Sequence, residues 1–273
     1  MPFWALYILS DFFYFILLLS GYRKKVVVKN LTNSFPEKTS KEITILYKQY
    51  YSYLCDLVLE TLKTLRMSEK ETKERCVFHH PEWLTRLSNE NRSIVIVMGH
   101  YGNWEWAGPS FTLNTNYQLV VAYLPLTNPY FEKMTSRMRT KFGTQISPAA
   151  SILKTMVANR KKLTATALIA DQTAWAEQAY WTTFLNQDTA VFTGPEKLAI
   201  KFDYPIVFMN VKRTKRGHYE IFPELLFEFP KETTEGQLTE KFTNRLEEEI
   251  RSNPATWLWS HKRWKYSRSG ARI

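Results

Sequence analysis

Two kinds of apolar pattern alternate along this chain. Residues 3–20, FWALYILSDFFYFILLLS, form one apolar run broken by a single charge, Asp11, at the lower edge of the length that crosses a bilayer. From Ser40 to Met67, the residues Ile43, Leu46, Tyr47, Tyr50, Leu54, Leu57, Val58, Leu62 and Leu65 recur at three- and four-residue spacing, which predicts a long amphipathic helix. Short runs rich in β-branched residues follow at Ser93–Met98, Gln118–Leu124, Thr166–Ala170 and Pro205–Met209, with a weaker one at Tyr219–Phe222. Each reads as a buried strand. Helical spacing lies between them at about Pro129–Phe142, Ile152–Arg160 and Pro195–Phe202, and again at Gln237–Arg251. The alternation predicts an α/β fold with a mixed, largely parallel central sheet flanked by helices. The expected organisation is an apolar helix over residues 1–22 and a single domain over 23–273 that ends in a basic, Trp-rich tail.

A mean hydropathy of -0.34 excludes a polytopic membrane protein. The net charge of +11 combined with 15% aromatic residues suits nucleic acid, an anionic membrane or an acidic protein. Residue order narrows the choice. Arg23, Lys24, Lys25 and Lys29 follow the apolar run, the reverse of a secretory signal, and the positive-inside rule keeps the rest of the chain on the cytoplasmic side. The run fits a short span, a helix lying in the interface, or a buried core helix; Asp11 favours the last two. In the tail, Lys262, Arg263, Lys265, Arg268 and Arg272 interleave with Trp257, Trp259, Trp264 and Tyr266, a composition that fits an interfacial anchor. No RNA-binding motif is present, which leaves nucleic acid as the minor alternative. Cys55 and Cys76 sit in segments that read as helical and form no disulfide framework or CxxC motif.

The candidate chemistry follows the first strand, at Gly99-His100-Tyr101-Gly102-Asn103-Trp104-Glu105. Functional groups collect at the carboxyl ends of strands in open α/β sheets. If a helix starts near Gly102, Glu105 lies about one turn inside it and points back at His100. A carboxylate on one ring nitrogen fixes the tautomer and leaves the other nitrogen to take a proton from a substrate hydroxyl. The same residues also read as a helix cap with a solvated first-turn acid. Asp171 and Gln172 end another strand and suit either substrate or loop capping, while Arg139 suits an anion or a solvated helix face. Thr193 and Glu196 have capping-box spacing. His79 and His80 read as surface or hinge residues, and His218 has no ligand partner nearby. No metal or nucleotide-binding motif appears, and the chemistry calls for no cofactor.

These blocks, in this order, resemble the lipid A biosynthesis acyltransferases of the lauroyl/myristoyl type, within the lysophospholipid acyltransferase superfamily. The resemblance runs from the apolar segment and GYRKKVVVKNLTNSFPE through His100 to Glu105, the Asn128-Pro129 segment and Arg137 to Gly143. It continues in Ala170-Asp171-Gln172, Phe192-Thr193-Gly194-Pro195 and Trp257 to Trp264. The resemblance implies His100 and Glu105 as the catalytic pair, where glycerol-phosphate acyltransferases usually carry aspartate in the second position. It also implies Arg139 as a ligand for phosphate or for the developing oxyanion, and Asn103, Asp171, Gln172 and Gly194 at the substrate, with His261 structural or interfacial. The activity implied is transfer of a fatty acyl chain from acyl carrier protein to a hydroxyl of a lipid A precursor, with a lysophospholipid or aminoacyl lipid as alternative acceptors. The expected setting is the anionic cytoplasmic face of the inner membrane.

Overall fold

The computed structural model describes residues 1–174, 177 and 179–271. The chain begins with three helices, α1 (Phe3–Ser20), α2 (Lys24–Ser34) and α3 (Ser40–Lys63). Next come α4 (Glu69–Arg75), β1 (Cys76–Phe78), α5 (Glu82–Asn89), β2 (Ile94–Met98), α6 (Trp104–Asn114) and β3 (Gln118–Tyr123). The alternation continues with α7 (Pro129–Thr140), β4 (Gln145–Pro148), α8 (Ile152–Ala158) and β5 (Thr164–Ile169). A hairpin of β6 (Tyr180–Phe184) and β7 (Gln187–Val191) precedes α9 (Gly194–Phe202), β8 (Ile206–Lys215), β9 (His218–Phe227) and α10 (Gln237–Ser252).

Seven strands form one sheet in the order β1-β9-β8-β2-β5-β3-β4, and β6 with β7 forms a separate antiparallel pair. Every neighbouring pair in the large sheet runs parallel except β8 with β9. This is the largely parallel α/β sheet that the alternation predicts. Because side chains alternate along a strand, β2 feeds both cores: Val95 and Val97 pack on the side of α3 and α10, Ile96 and Met98 on the side of α6. Strand β2 is buried at every position, so the loop that follows it starts from a fixed base.

Three local expectations are corrected. Cys76 opens β1 rather than continuing a helix, because α4 ends one residue earlier. Thr193 makes no side-chain cap of α9; buried Glu196 instead accepts from the Gly236 and Thr239 amides at 2.6 and 2.8 Å and ties α9 to α10. In the Trp-rich tail, Trp257, Trp259 and Arg263 are buried rather than displayed at the surface, and Arg268 pairs with Asp188. Arg272 lies outside the described residues.

Helix α1 meets the protein through buried Leu6 and Ser10 and through polar side chains along the same side. Its inward face carries Tyr7, which donates to Glu60 at 2.9 Å, Ser10, which donates to Asp56 at 2.6 Å, and Asp11, paired with Arg216 at 2.6 Å. Its outward face carries Trp4, Ile8, Phe12, Phe15 and Leu19, from 59 to 89% exposed. Only 11% of the apolar run is buried, which removes the core-helix alternative.

Candidate active site

Two glycines make the turn after β2 possible. A Cβ on Gly99 would lie 2.7 Å from Leu246 and 3.1 Å from the Asp171 carboxylate, so a larger residue would push both side chains back by some tenths of an ångström. Gly102 has φ +59, and a Cβ there would meet the Val211 carbonyl oxygen at 2.1 Å. The turn is clamped by the tail: the Gly102 amide donates to the Thr256 carbonyl at 3.0 Å, and the Leu258 amide donates to the His100 carbonyl at 3.1 Å. Tyr101 bridges antiparallel to Trp257.

His100 is oriented by Asp171, not by Glu105. The imidazole Nδ1 lies 2.6 Å from Asp171 Oδ1, and the His100 backbone N–H donates to Oδ2 at 2.7 Å. The Trp257 indole N–H donates to the same Oδ2 at 2.7 Å. Burial raises the pKa of the Asp171 carboxyl, but the adjacent imidazole and these three donors outweigh it and hold the group below its usual range. An ionised Asp171 accepts a hydrogen bond from Nδ1–H, the tautomer that places the lone pair on Nε2. Among the described residues, the polar neighbour of Nε2 is the Gln172 amide nitrogen at 3.4 Å, a distance beyond a good hydrogen bond. Trp104 meets the ring edge-on at 5.0 Å between centroids.

Glu105 faces a different partner. Its two oxygens receive a fork from Arg139, Nη2 to Oε1 at 2.6 Å and Nε to Oε2 at 3.1 Å. The cause is helical geometry: Glu105 sits in the first turn of α6 and projects toward the last turn of α7, which holds Arg139. Burial lowers the Arg139 pKa, yet the fork to Glu105 and the charge of that carboxylate raise it overall. The guanidinium is therefore permanently charged, with a bidentate geometry that lysine could not copy.

His100, Glu105, Arg139, Gln172 and Gly194 all line one cavity of about 680 Å³. Its walls are otherwise apolar, with Ile96, Met98, Leu119, Ala167 and Met209 from the sheet and Ala107, Gly108 and Phe111 from α6. The lining passes from fully buried Phe111 to exposed Leu124 and Phe192, so the space runs from the interior to the surface. An imidazole with one free nitrogen and a paired guanidinium thus stand beside a deep apolar slot. That arrangement suits deprotonation of a hydroxyl next to a long hydrocarbon chain.

Asn103, expected at the substrate, is fully buried and does not line the cavity: its Oδ1 accepts from the Trp106 amide at 3.1 Å and its Nδ2 donates to Glu60 at 2.9 Å. Asp171, expected there too, is buried and spends both oxygens on His100 and Trp257. His261 is structural in position, its Nε2 accepting from the Thr173 amide at 3.3 Å beside Gln172. His79 stacks on Phe222 and bonds to Glu220 at 2.8 Å, while His218 lies 3.4 Å from Arg75. Trp257 is the residue that sequence reasoning missed; its block was noticed, but nothing in the spacing tied an indole to a carboxylate 86 residues away. Among the described residues no group of three or more His, Cys, Asp or Glu side chains is placed to hold a metal.

A search among curated proteins finds no significant match. A model of the bacterial lipid A biosynthesis acyltransferases matches residues 1–266, a stretch that includes the turn, both ion pairs and every wall of the cavity, and the chain belongs to that family.

Proposed function

We propose that this acyltransferase moves a fatty acyl chain from an acyl carrier protein thioester to a hydroxyl of a lipid A precursor, with His100 as the base and Asp171 as the group that orients it. The observation that carries the reading is the free Nε2 of His100 on the wall of an apolar cavity, with Nδ1 held by a buried carboxylate. Nε2 takes the proton of the acceptor hydroxyl, and the oxygen attacks the thioester carbon. The carbon–sulfur bond breaks as the tetrahedral intermediate collapses, and the departing thiolate takes the proton from the imidazolium. Arg139, fixed by Glu105, supplies charge for the oxyanion or for an acceptor phosphate; a well-placed donor of this kind is worth about 3–4 kcal/mol. Glu105 thus acts through Arg139 rather than through His100. The acyl chain occupies the slot beneath α6.

The outward face of α1 supports attachment to a bilayer surface. The contacts of Tyr7, Ser10 and Asp11 with the protein favour a helix lying in the interface over one that spans, and its exposed aromatic and aliphatic side chains suit burial at headgroup depth. The basic segment after it then faces anionic lipid on the cytoplasmic side, and the positive surface also suits an acidic carrier protein. The decisive test is a pair of variants assayed for transfer from acyl carrier protein to purified precursor. Asp171→Asn is expected to lower kcat by about 10⁴-fold through the wrong tautomer, and His100→Ala to abolish transfer. Near-normal transfer by folded His100→Ala would refute the assignment.

A further inference from the structure

Outside the cavity, a group of ionisable side chains lies between α1, α3 and β9, and the proposed chemistry uses none of it. Its centre is Glu60 on α3, fully buried. Oε1 accepts from the Tyr7 hydroxyl at 2.9 Å; Oε2 accepts from the Tyr219 hydroxyl at 2.7 Å and from Asn103 Nδ2 at 2.9 Å. The Glu60 backbone carbonyl accepts from the Trp106 indole at 3.0 Å. One residue therefore joins the surface-facing helix, the sheet and the first turn of α6. Apolar residues of similar volume usually serve packing as well as a buried charge does, so what the carboxylate adds here is geometry.

Asn103 is where that geometry reaches the site. Its Oδ1 caps α6, and its Nδ2 has Glu60 as acceptor, so Glu60 fixes which way the amide faces. The next two residues are Trp104, against the His100 ring, and Glu105, which holds Arg139. Independent ties at Gly102 hold the turn in the fold: its amide to Thr256, and its carbonyl from the buried Tyr53 hydroxyl. Loss of Glu60 thus loosens the orientation of the turn without removing the turn. We infer that Glu60 is a positioning residue that ties the seating of α1 on the protein to the geometry of the His100–Glu105 turn, so that α1 serves the transfer step as well as attachment. This rests on the role of His100 given above.

The test uses the full-length enzyme with vesicles of phosphatidylethanolamine and phosphatidylglycerol, acyl carrier protein thioester and lipid A precursor. Glu60→Leu is expected to lower kcat by about 10–100-fold, since a displacement of about 1 Å is worth that much, with KM and vesicle binding little changed. Glu60→Gln should restore most of the rate: its amide oxygen can accept from Asn103 and Tyr219 while its NH₂ donates to the Tyr7 oxygen. Tyr7→Phe should lower kcat without releasing the enzyme from vesicles. Combining Glu60→Leu with Asn103→Ala should cost no more than the larger single loss. A folded Glu60→Leu with wild-type kcat, or losses that simply add, overturns the inference. Should Glu60→Leu fail to fold, Tyr7→Phe decides, and wild-type kcat in it overturns the inference. Loss of transfer in His100→Ala beside unchanged kcat in Glu60→Leu removes this inference alone; transfer retained by His100→Ala removes the base assignment and this inference with it.

Discussion

A neutral imidazole serves as a base only through the nitrogen its neighbours leave alone, and the neighbours of His100 come from far along the chain, Asp171 being 71 residues away. Another histidine, His261, lies in the same neighbourhood, beside Gln172 and Thr173. Burial, with the nearby Arg263 charge, pushes the His261 pKa down to about 4, although Asp171 pulls it up. The native ring therefore refuses a proton that the unfolded chain accepts below about 6.5. Unfolded chains then bind more protons, and stability falls as pH drops from about 6.5 toward 4. Calorimetric melting points of the wild type and His261→Asn over that window should diverge, with a flatter acid limb in the variant; parallel limbs would contradict it. At this scale the sequence was legible in part. His100, Arg139 and Gln172 stood out because they follow strands or end a helix, and all three line the cavity. The partnership was not legible. Spacing along the chain names the nearest acid in sequence, Glu105, whereas the acid nearest in space was the neighbouring strand's Asp171, brought there by the parallel pairing of β2 with β5.

At the scale of elements, α6 is both lid and wall of the cavity. Gly108 lies in its interior and lines the slot; a Cβ there finds Leu119 at 3.6 Å, an ordinary contact distance. A larger side chain would project into the space that the proposed reaction gives to the acyl chain. Gly108→Leu is thus expected to shift the preferred donor to shorter chains while the melting point holds or rises, because leucine is a strong helix former and glycine lies about 0.8–1 kcal/mol below alanine in a helix interior. Mass spectrometry of products from a mixed-length donor pool checks this, and an unchanged length distribution would place the chain elsewhere. The elements legible beforehand were the helices with apolar runs or helical spacing, α1, α3, α7, α8, α9 and α10, and the β-branched runs of β2, β3, β5, the start of β8 and part of β9. Strands β1 and β4 are three and four residues long, too short to show a period. The β6–β7 hairpin is mixed in polarity and is held by distant elements: Leu185 N–H donates to Glu247 of α10 at 2.6 Å, and Trp264 of the tail donates to Thr189 at 2.7 Å.

For the whole molecule, the +11 charge and the exposed apolar face of α1 act over different ranges. Charge attraction is screened to about 3 Å in 1 M salt, while apolar burial is not screened. Binding to phosphatidylglycerol-containing vesicles should weaken but persist in 1 M salt. A Trp4→Ser, Phe12→Ser, Leu19→Ser triple variant should lose that residual binding by at least about tenfold, since each buried side chain is worth about 1.5–3 kcal/mol. Co-sedimentation measures both, and equal residual binding would assign the contact to another face. The tail shows how composition misleads at this scale: basic and aromatic residues suit a membrane, yet Trp257, Trp259 and Arg263 were needed inside. That placement bears on biosynthesis. Trp257 is translated after all nine strands, and with Thr256 and Leu258 it closes over the His100 turn. A nascent chain that has reached β9 holds His100 and Asp171 but neither the indole nor the clamp that fixes them. The residues that line the cavity end at Met209, so the clamp on the His100 turn is translated after all of them.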